Sequence, residues 1–156
     1  MPKIYSIKRS QKIPVTLNVL WNFFSKPENL KKVIPENTQF SITSPLDSPV
    51  IYPGQIIEYD VKSVIGLHFK WITEITEVET NQYFVDEQKA GPFSVWQHQH
   101  YFVEIPGGVE MMDILQYRFR FGFLGRVLHK LYVKKRLQRM FDFRERKLKS
   151  LFGVYE

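Results

Sequence analysis

Two histidines spaced for one face of a strand, His98 and His100, are the residues of this chain best suited to chemistry. In extended backbone every second side chain points the same way, so Trp96, His98, His100 and Phe102 form one line. An imidazole titrates near neutral pH, so it can pass a proton, orient a ligand or hold a metal. Two further mixed lines flank it in the sequence: Phe84, Asp86 and Gln88 before it, and Met111, Asp113, Leu115, Tyr117 and Phe119 after it. If the large apolar members face an interior, Asp86, Gln88, His98, His100 and Asp113 enter that interior with them. A buried polar group without a partner costs a few kcal/mol, so these residues must bond one another, water or a ligand.

Three uses of the set stay open at this level. It can be a polar network that fixes strand register. It can be the polar patch of a ligand pocket. Or it can be an acid–base pair, with His98 or His100 oriented by Asp113. His-x-His is also a chelating spacing that Asp113 could complete, but no third histidine lies near it, and no metal is expected. The chain has no cysteine, which removes thiolate metal sites, disulfides and a cysteine nucleophile together. G-x-S-x-G, a phosphate-cradling glycine loop and H-E-x-x-H are also absent, and no cofactor is expected.

The elements that must carry these lines follow from periodicity. Ile4 to Ile13 reads as a strand ended by Pro14; Thr16 caps a short helix through Leu17, Leu20, Trp21 and Phe24; Pro27 opens a second, stopped by Pro35. Alternation then runs from Gln39 to Phe121, cut by turn residues into six strands at about 38–43, 55–64, 67–79, 82–89, 94–104 and 109–121. In the second of these Ile57, Tyr59 and Val61 share a face; in the third Leu67, Phe69, Trp71 and Thr73 oppose His68, Lys70 and Glu74. Short connections make the strands an antiparallel meander with one covered face. After Gly125 the period becomes helical: Leu128, Leu131, Tyr132, Leu137, Phe141, Leu148 and Phe152 form one stripe, the bases fill the other side, and Gly153 marks the stop. Only this long helix can cover a curled seven-stranded sheet, so the expected fold is α+β, a sheet gripping a helix with space between them.

The order of elements resembles the helix-grip superfamily of the birch pollen allergen, the START lipid-transfer domains and the polyketide cyclases or dehydrases. The resemblance is nearest to small bacterial SRPBCC proteins, and rests on the run Phe84 to Gln88, Gly91-Pro92-Phe93, the Trp96, His98, His100, Phe102 line, Met112-Asp113, Tyr117, and Phe121 to Gly125 leading into Phe141 to Arg146. It implies a cavity between sheet and long helix for a small hydrophobic or amphipathic, lipid- or polyketide-like ligand. It carries no shared catalytic motif. Trp71 joins the three lines as an expected wall residue. The expected role is binding, transport or sensing, with a cyclase- or dehydratase-type enzyme using His98, His100 and Asp113 as the rival.

With 156 residues the chain is expected to be one domain, 1–156. The aromatic share of 15% is high and asks for a large apolar interior. The first 25 residues gather no apolar leader core and no run spans a membrane, so a cytoplasmic protein is expected. The net charge of +6 is concentrated between Gly125 and Ser150, where ten Lys or Arg face only Asp142 and Glu145. Those bases lack interleaved aromatics for stacking, so nucleic acid is not the expected partner; a solvated face, with weak contact to an anionic membrane, is.

Overall fold

The computed structural model describes residues 3–62 and 66–156. Strand β1 (Tyr5–Ile13) is followed by helix α1 (Leu17–Phe24), capped by the Thr16 hydroxyl accepting from the Val19 amide. Two 3₁₀ segments, Pro27–Val33 and Glu36–Thr38, then lead to strands β2 (Ser41–Ile42), β3 (Ile56–Lys62), β4 (His68–Glu79), β5 (Tyr83–Ala90), β6 (Phe93–Ile105) and β7 (Gly108–Phe119). The last two positions of the expected 55–64 strand lie outside the described residues. The strands form one antiparallel sheet in the order β1-β7-β6-β5-β4-β3-β2. Pairing of the first strand with the last is what a meander needs to curl around a helix.

The curl has local causes. Between β4 and β5 the register shifts at Ile72/Thr73 and again at Ile75/Glu77, and between β6 and β7 it shifts at Phe93/Val95. Each extra residue bends its strand and deepens the twist. Along the concave face Ile57, Tyr59, Val61, Ile75, Phe84 and Phe102 are buried, as alternation requires, and the shift at Phe93/Val95 turns Phe93 onto the same face. Leu67, expected on that face, precedes β4 and is exposed, and Phe69 is only half-buried, because the strand there has run beyond the cover of the helices.

The long helix comprises α2 (Gly122–Leu128), a π-wound turn at His129–Val133 and α3 (Lys134–Phe152). It starts earlier than expected. Phe121 and Gly122, with φ of 77° and 50°, reverse the chain directly after β7, and a Cβ on Gly125 would collide with the Arg120 carbonyl oxygen. The expected stripe needs one correction here: Leu131 and Tyr132 are exposed, while His129 and Val133 are buried. Buried positions recur every fourth residue through Gly125, His129, Val133, Leu137 and Phe141. A regular helix of 3.6 residues per turn cannot hold that line, and the wider π turn absorbs the drift. Arg9 Nη1 to Asp142 Oδ1 (2.8 Å) and Gln11 Nε2 to the Glu145 carbonyl (3.1 Å) tie α3 to β1.

Candidate functional site

Because α3 is tied to β1, it stands off the concave face of β3 to β6 instead of packing onto it. A cavity of about 450 Å³ lies there. Its floor is Ile57, Tyr59, Val61, Trp71, Thr73, Ile75, Phe84, Phe93 and Trp96; its roof is Leu137, Met140, Phe141 and Phe143 of α3; Phe23, Phe24, Leu30, Val33, Ile34 and Phe40 close one side. Asp86, His98 and His100 form the polar pole of this wall, with Arg144 facing them from α3.

The register explains the polar pole. Asp86 pairs with His98 across β5 and β6, and His100 pairs with Asp113 across β6 and β7. The hydrogen bonds run diagonally to that register: His98 Nε2 lies 2.9 Å from Asp113 Oδ1, and His100 Nε2 lies 2.7 Å from Asp86 Oδ2. His100 Nδ1 is 3.0 Å from the same Asp113 oxygen, but without hydrogen-bond geometry. The two imidazoles sit with ring centroids 3.8 Å apart, and His100 stacks on Phe84 at 4.1 Å. Arg144 Nη2 stands 3.3 Å from Asp113 Oδ1, and its guanidinium covers the Phe24 ring at 4.9 Å. Asp113, the two histidines and Arg144 are all buried.

Among the described residues, Asp86, His98 and His100 are the group able to hold a metal, with donor atoms within 4.8 Å of one another. A tetrahedral zinc with ligands at about 2.1 Å would need donors about 3.4 Å apart, so His100 Nε2 and Asp86 Oδ2, at 2.7 Å, would have to separate and give up their hydrogen bond. Asp113, the residue that the spacing offered as a further ligand, is instead bonded to His98 and in contact with His100.

A family profile described as polyketide cyclase/dehydrase and lipid transport matches residues 13–142. The chain belongs to this family. Among curated proteins no sequence matches it. Solved structures give the same fold. A START superfamily protein from Mycobacterium smegmatis superposes with a TM-score of 0.70 at 14% identity, over 94% of this chain and 98% of that one. TTHA0849 from Thermus thermophilus gives 0.69 at 17% identity, over 94% and 99%. Ara h 8.0201 gives 0.60 at 12% identity, over 95% and 99%.

Against this family architecture the expected wall residues divide in two. Trp71, Phe84, Asp86, Trp96, His98 and His100 line the cavity. Gln88, Phe102, Met111, Asp113, Leu115, Tyr117 and Phe119 do not. Gln88 bonds both backbone groups of Phe93 and closes the β5–β6 turn. Phe102 packs under α1 against Trp21, 5.4 Å away. The β7 residues face inward but lie directly beneath α3, so they form core. Asp113 acts one layer down, through the histidines. Alternation assigns a face; which part of that face stays open depends on where the helix lands.

Arg144 is the member missed by the sequence reading, which placed it with the solvated bases. It lies three residues after Phe141 and four before Leu148, on the apolar stripe, and that spacing is the signal for it. His129 was missed as well: it stacks on Tyr5 at 3.5 Å and shares a 2.8 Å hydrogen bond with the Tyr117 hydroxyl. Burial and Tyr5 push the Tyr117 phenol up to about 12, which keeps it neutral.

The cavity is basic at its rim. Lys26, Lys62, Arg136, Arg139 and Arg146 line it, none in an ion pair among the described residues, and Asp86 is its one lining carboxylate.

The two histidines are pushed apart in acidity. Burial, then repulsion from His100, holds His98 below its ordinary 6.5. Burial opposes the charge on His100 too, but Asp113 and Asp86 together outweigh it and raise His100 above 6.5. Burial acts most strongly on Asp113 and pushes it up, yet Arg144 and both histidines together hold it well below the usual carboxylate range. The sign follows by linkage. The His98 contribution is present above 6.5 and lost as pH falls through its lowered value; the His100 contribution is present below 6.5 and lost as pH rises through its raised value. Nuclear magnetic resonance titration of the ring protons is expected to show His98 titrating below 6.5 and His100 above it. A shared midpoint or the reverse order would contradict the diagonal pairing.

Proposed function

We propose that the chain binds a small apolar or amphipathic molecule, lipid- or polyketide-like, between the curved sheet and α3, and serves as its carrier or sensor. The observation that carries this is the cavity itself. Protein interiors pack near crystal density, so an apolar space of about 450 Å³ that no side chain of its aromatic shell fills reads as a site for a bound molecule. The buried His98, His100, Asp86 and Arg144 pole offers hydrogen bonds to one polar end of the ligand. The basic rim favours an anionic or strongly polar end at the mouth. Membership in a family described by cyclases, dehydrases and lipid transport supports the same class of ligand.

One observation favours catalysis in the same cavity as a second reading. Neighbouring groups whose environments separate their acidities are suited to divide acid and base roles. Here His98 would serve as base and His100 as acid, with Asp113 positioning both.

Native mass spectrometry of protein taken from its own cells, followed by organic extraction, tests the first reading. One non-covalent small molecule per chain, recovered unchanged after incubation with fresh protein, is expected. Chain mass alone would contradict ligand binding, and depletion of the extracted molecule would replace carriage by catalysis.

A further inference from the structure

The chain carries a second feature that the cavity does not use. At the N-terminal end of the long helix Phe121, Phe123, Leu124, Val127, Leu131 and Tyr132 are all exposed, Phe123 by 74%. Phe123, Val127 and Leu131 are spaced by four, so they lie on one side of the helix, and the π turn that buries His129 also keeps Leu131 in line with them. Arg126 and Lys130 each precede a ridge residue, Val127 and Leu131, by one position, and Lys134 continues that four-residue spacing, so the three form a parallel basic row. Arg126 lies over the Phe123 ring at 5.6 Å, so the row and the apolar ridge adjoin. A ridge of this size left in water marks an interaction surface.

Charge decides the partner. From Ile114 to Phe141 the sequence has eight Lys or Arg and no acidic residue. A protein partner offering an apolar patch would meet this strong single-sign field, whereas a bilayer with anionic headgroups matches both parts at once. An apolar ridge enters the acyl boundary while flanking Lys and Arg remain at the phosphates. We infer that the segment Phe121–Lys135 is a docking helix for an anionic membrane surface, with Phe123, Leu124, Val127 and Leu131 inserted. This goes beyond the general contact expected of the basic helix, because it places the contact at α2 and the π turn. Arg136, Arg139 and Met140 at the cavity rim follow on the same helix, and Arg139 stands roughly 12 Å along it from Leu131. Docking would therefore set the mouth of the cavity close to the headgroups.

The test is sedimentation with vesicles of phosphatidylcholine, pure or mixed with phosphatidylglycerol, for the full chain and two double variants. Phe123→Ser with Leu124→Ser removes the ridge, and Lys130→Glu with Lys134→Glu reverses the row; all four side chains are exposed and none lines the cavity. The wild-type chain is expected to partition onto the mixed vesicles, more weakly at high salt, and each double variant to lose at least about tenfold. Unchanged circular dichroism and unchanged binding of the apolar fluorophore 1-anilinonaphthalene-8-sulfonate in the cavity would separate this result from misfolding or from failure of the binding function. Indifference of the wild type to the mixed vesicles, or equal binding by the ridge variant, would overturn the inference. So would analytical ultracentrifugation showing a wild-type dimer that the ridge variant abolishes, since the ridge would then belong to a second copy of the chain.

Discussion

Replacement of Asp113 by alanine is expected to cost about 3–5 kcal/mol of stability, a fall in melting temperature of roughly 10 °C for a chain of this size. The carboxylate lies under both histidines and beside Arg144, and all four groups are buried. Its removal leaves the Arg144 cation with a thioether and an aromatic face as its remaining neighbours, Met111 Sδ at 4.0 Å and the Phe24 ring at 4.9 Å. His98 also loses its 2.9 Å partner. The loss is expected to be largest near neutral pH, where the Asp113 carboxylate is charged, and smaller in acid, where the wild type also begins to lose it. If the penalty comes from the stranded cation, pairing Asp113→Leu with Arg144→Met should recover most of it, because a buried ion pair can be exchanged for apolar groups at little net cost. Thermal and urea denaturation of the single and double variants measure this directly. A single Asp113→Ala change within about 1 kcal/mol of wild type would mean that the network is not the anchor of the polar pole.

Thr73→Trp carries the second large effect. Thr73 is buried at the middle of β4 and faces the cavity, between Trp71 and Ile75 on the same line. An indole there projects into empty space and takes up room that a ligand needs. Filling an existing cavity need not strain the core, in contrast to overpacking a dense one. The variant is therefore expected to melt within a few degrees of wild type, yet to lose affinity for any cavity ligand by at least about tenfold.

The fold was legible because its signals are local and repeated: turn residues at each hairpin, alternation along the strands from Ile57 to Phe119, and a helical stripe ending at Gly153. The His98 and His100 line was legible for the same reason. What alternation does not contain is the position of the helix over the sheet. Leu115 and Trp96 obey the same period, yet one is sealed beneath α3 and the other borders the cavity. Arg144 was obscured by composition, since nine other bases share its segment and only its spacing from Phe141 and Leu148 distinguishes it. The π turn left no local mark beyond the four-residue recurrence of His129 and Val133, so the stripe drawn through Leu131 and Tyr132 went to the wrong side.

On this reading the space between sheet and α3 is a binding site. It is tested most directly by titrating an apolar anionic fluorophore, 1-anilinonaphthalene-8-sulfonate, into the wild type and the Thr73→Trp variant side by side, with a long-chain fatty acid as competitor. One saturable site per wild-type chain, displaced by the fatty acid and lost in the variant, is the expected result. Equal binding by both proteins, or fluorophore binding that the fatty acid does not displace, would contradict it.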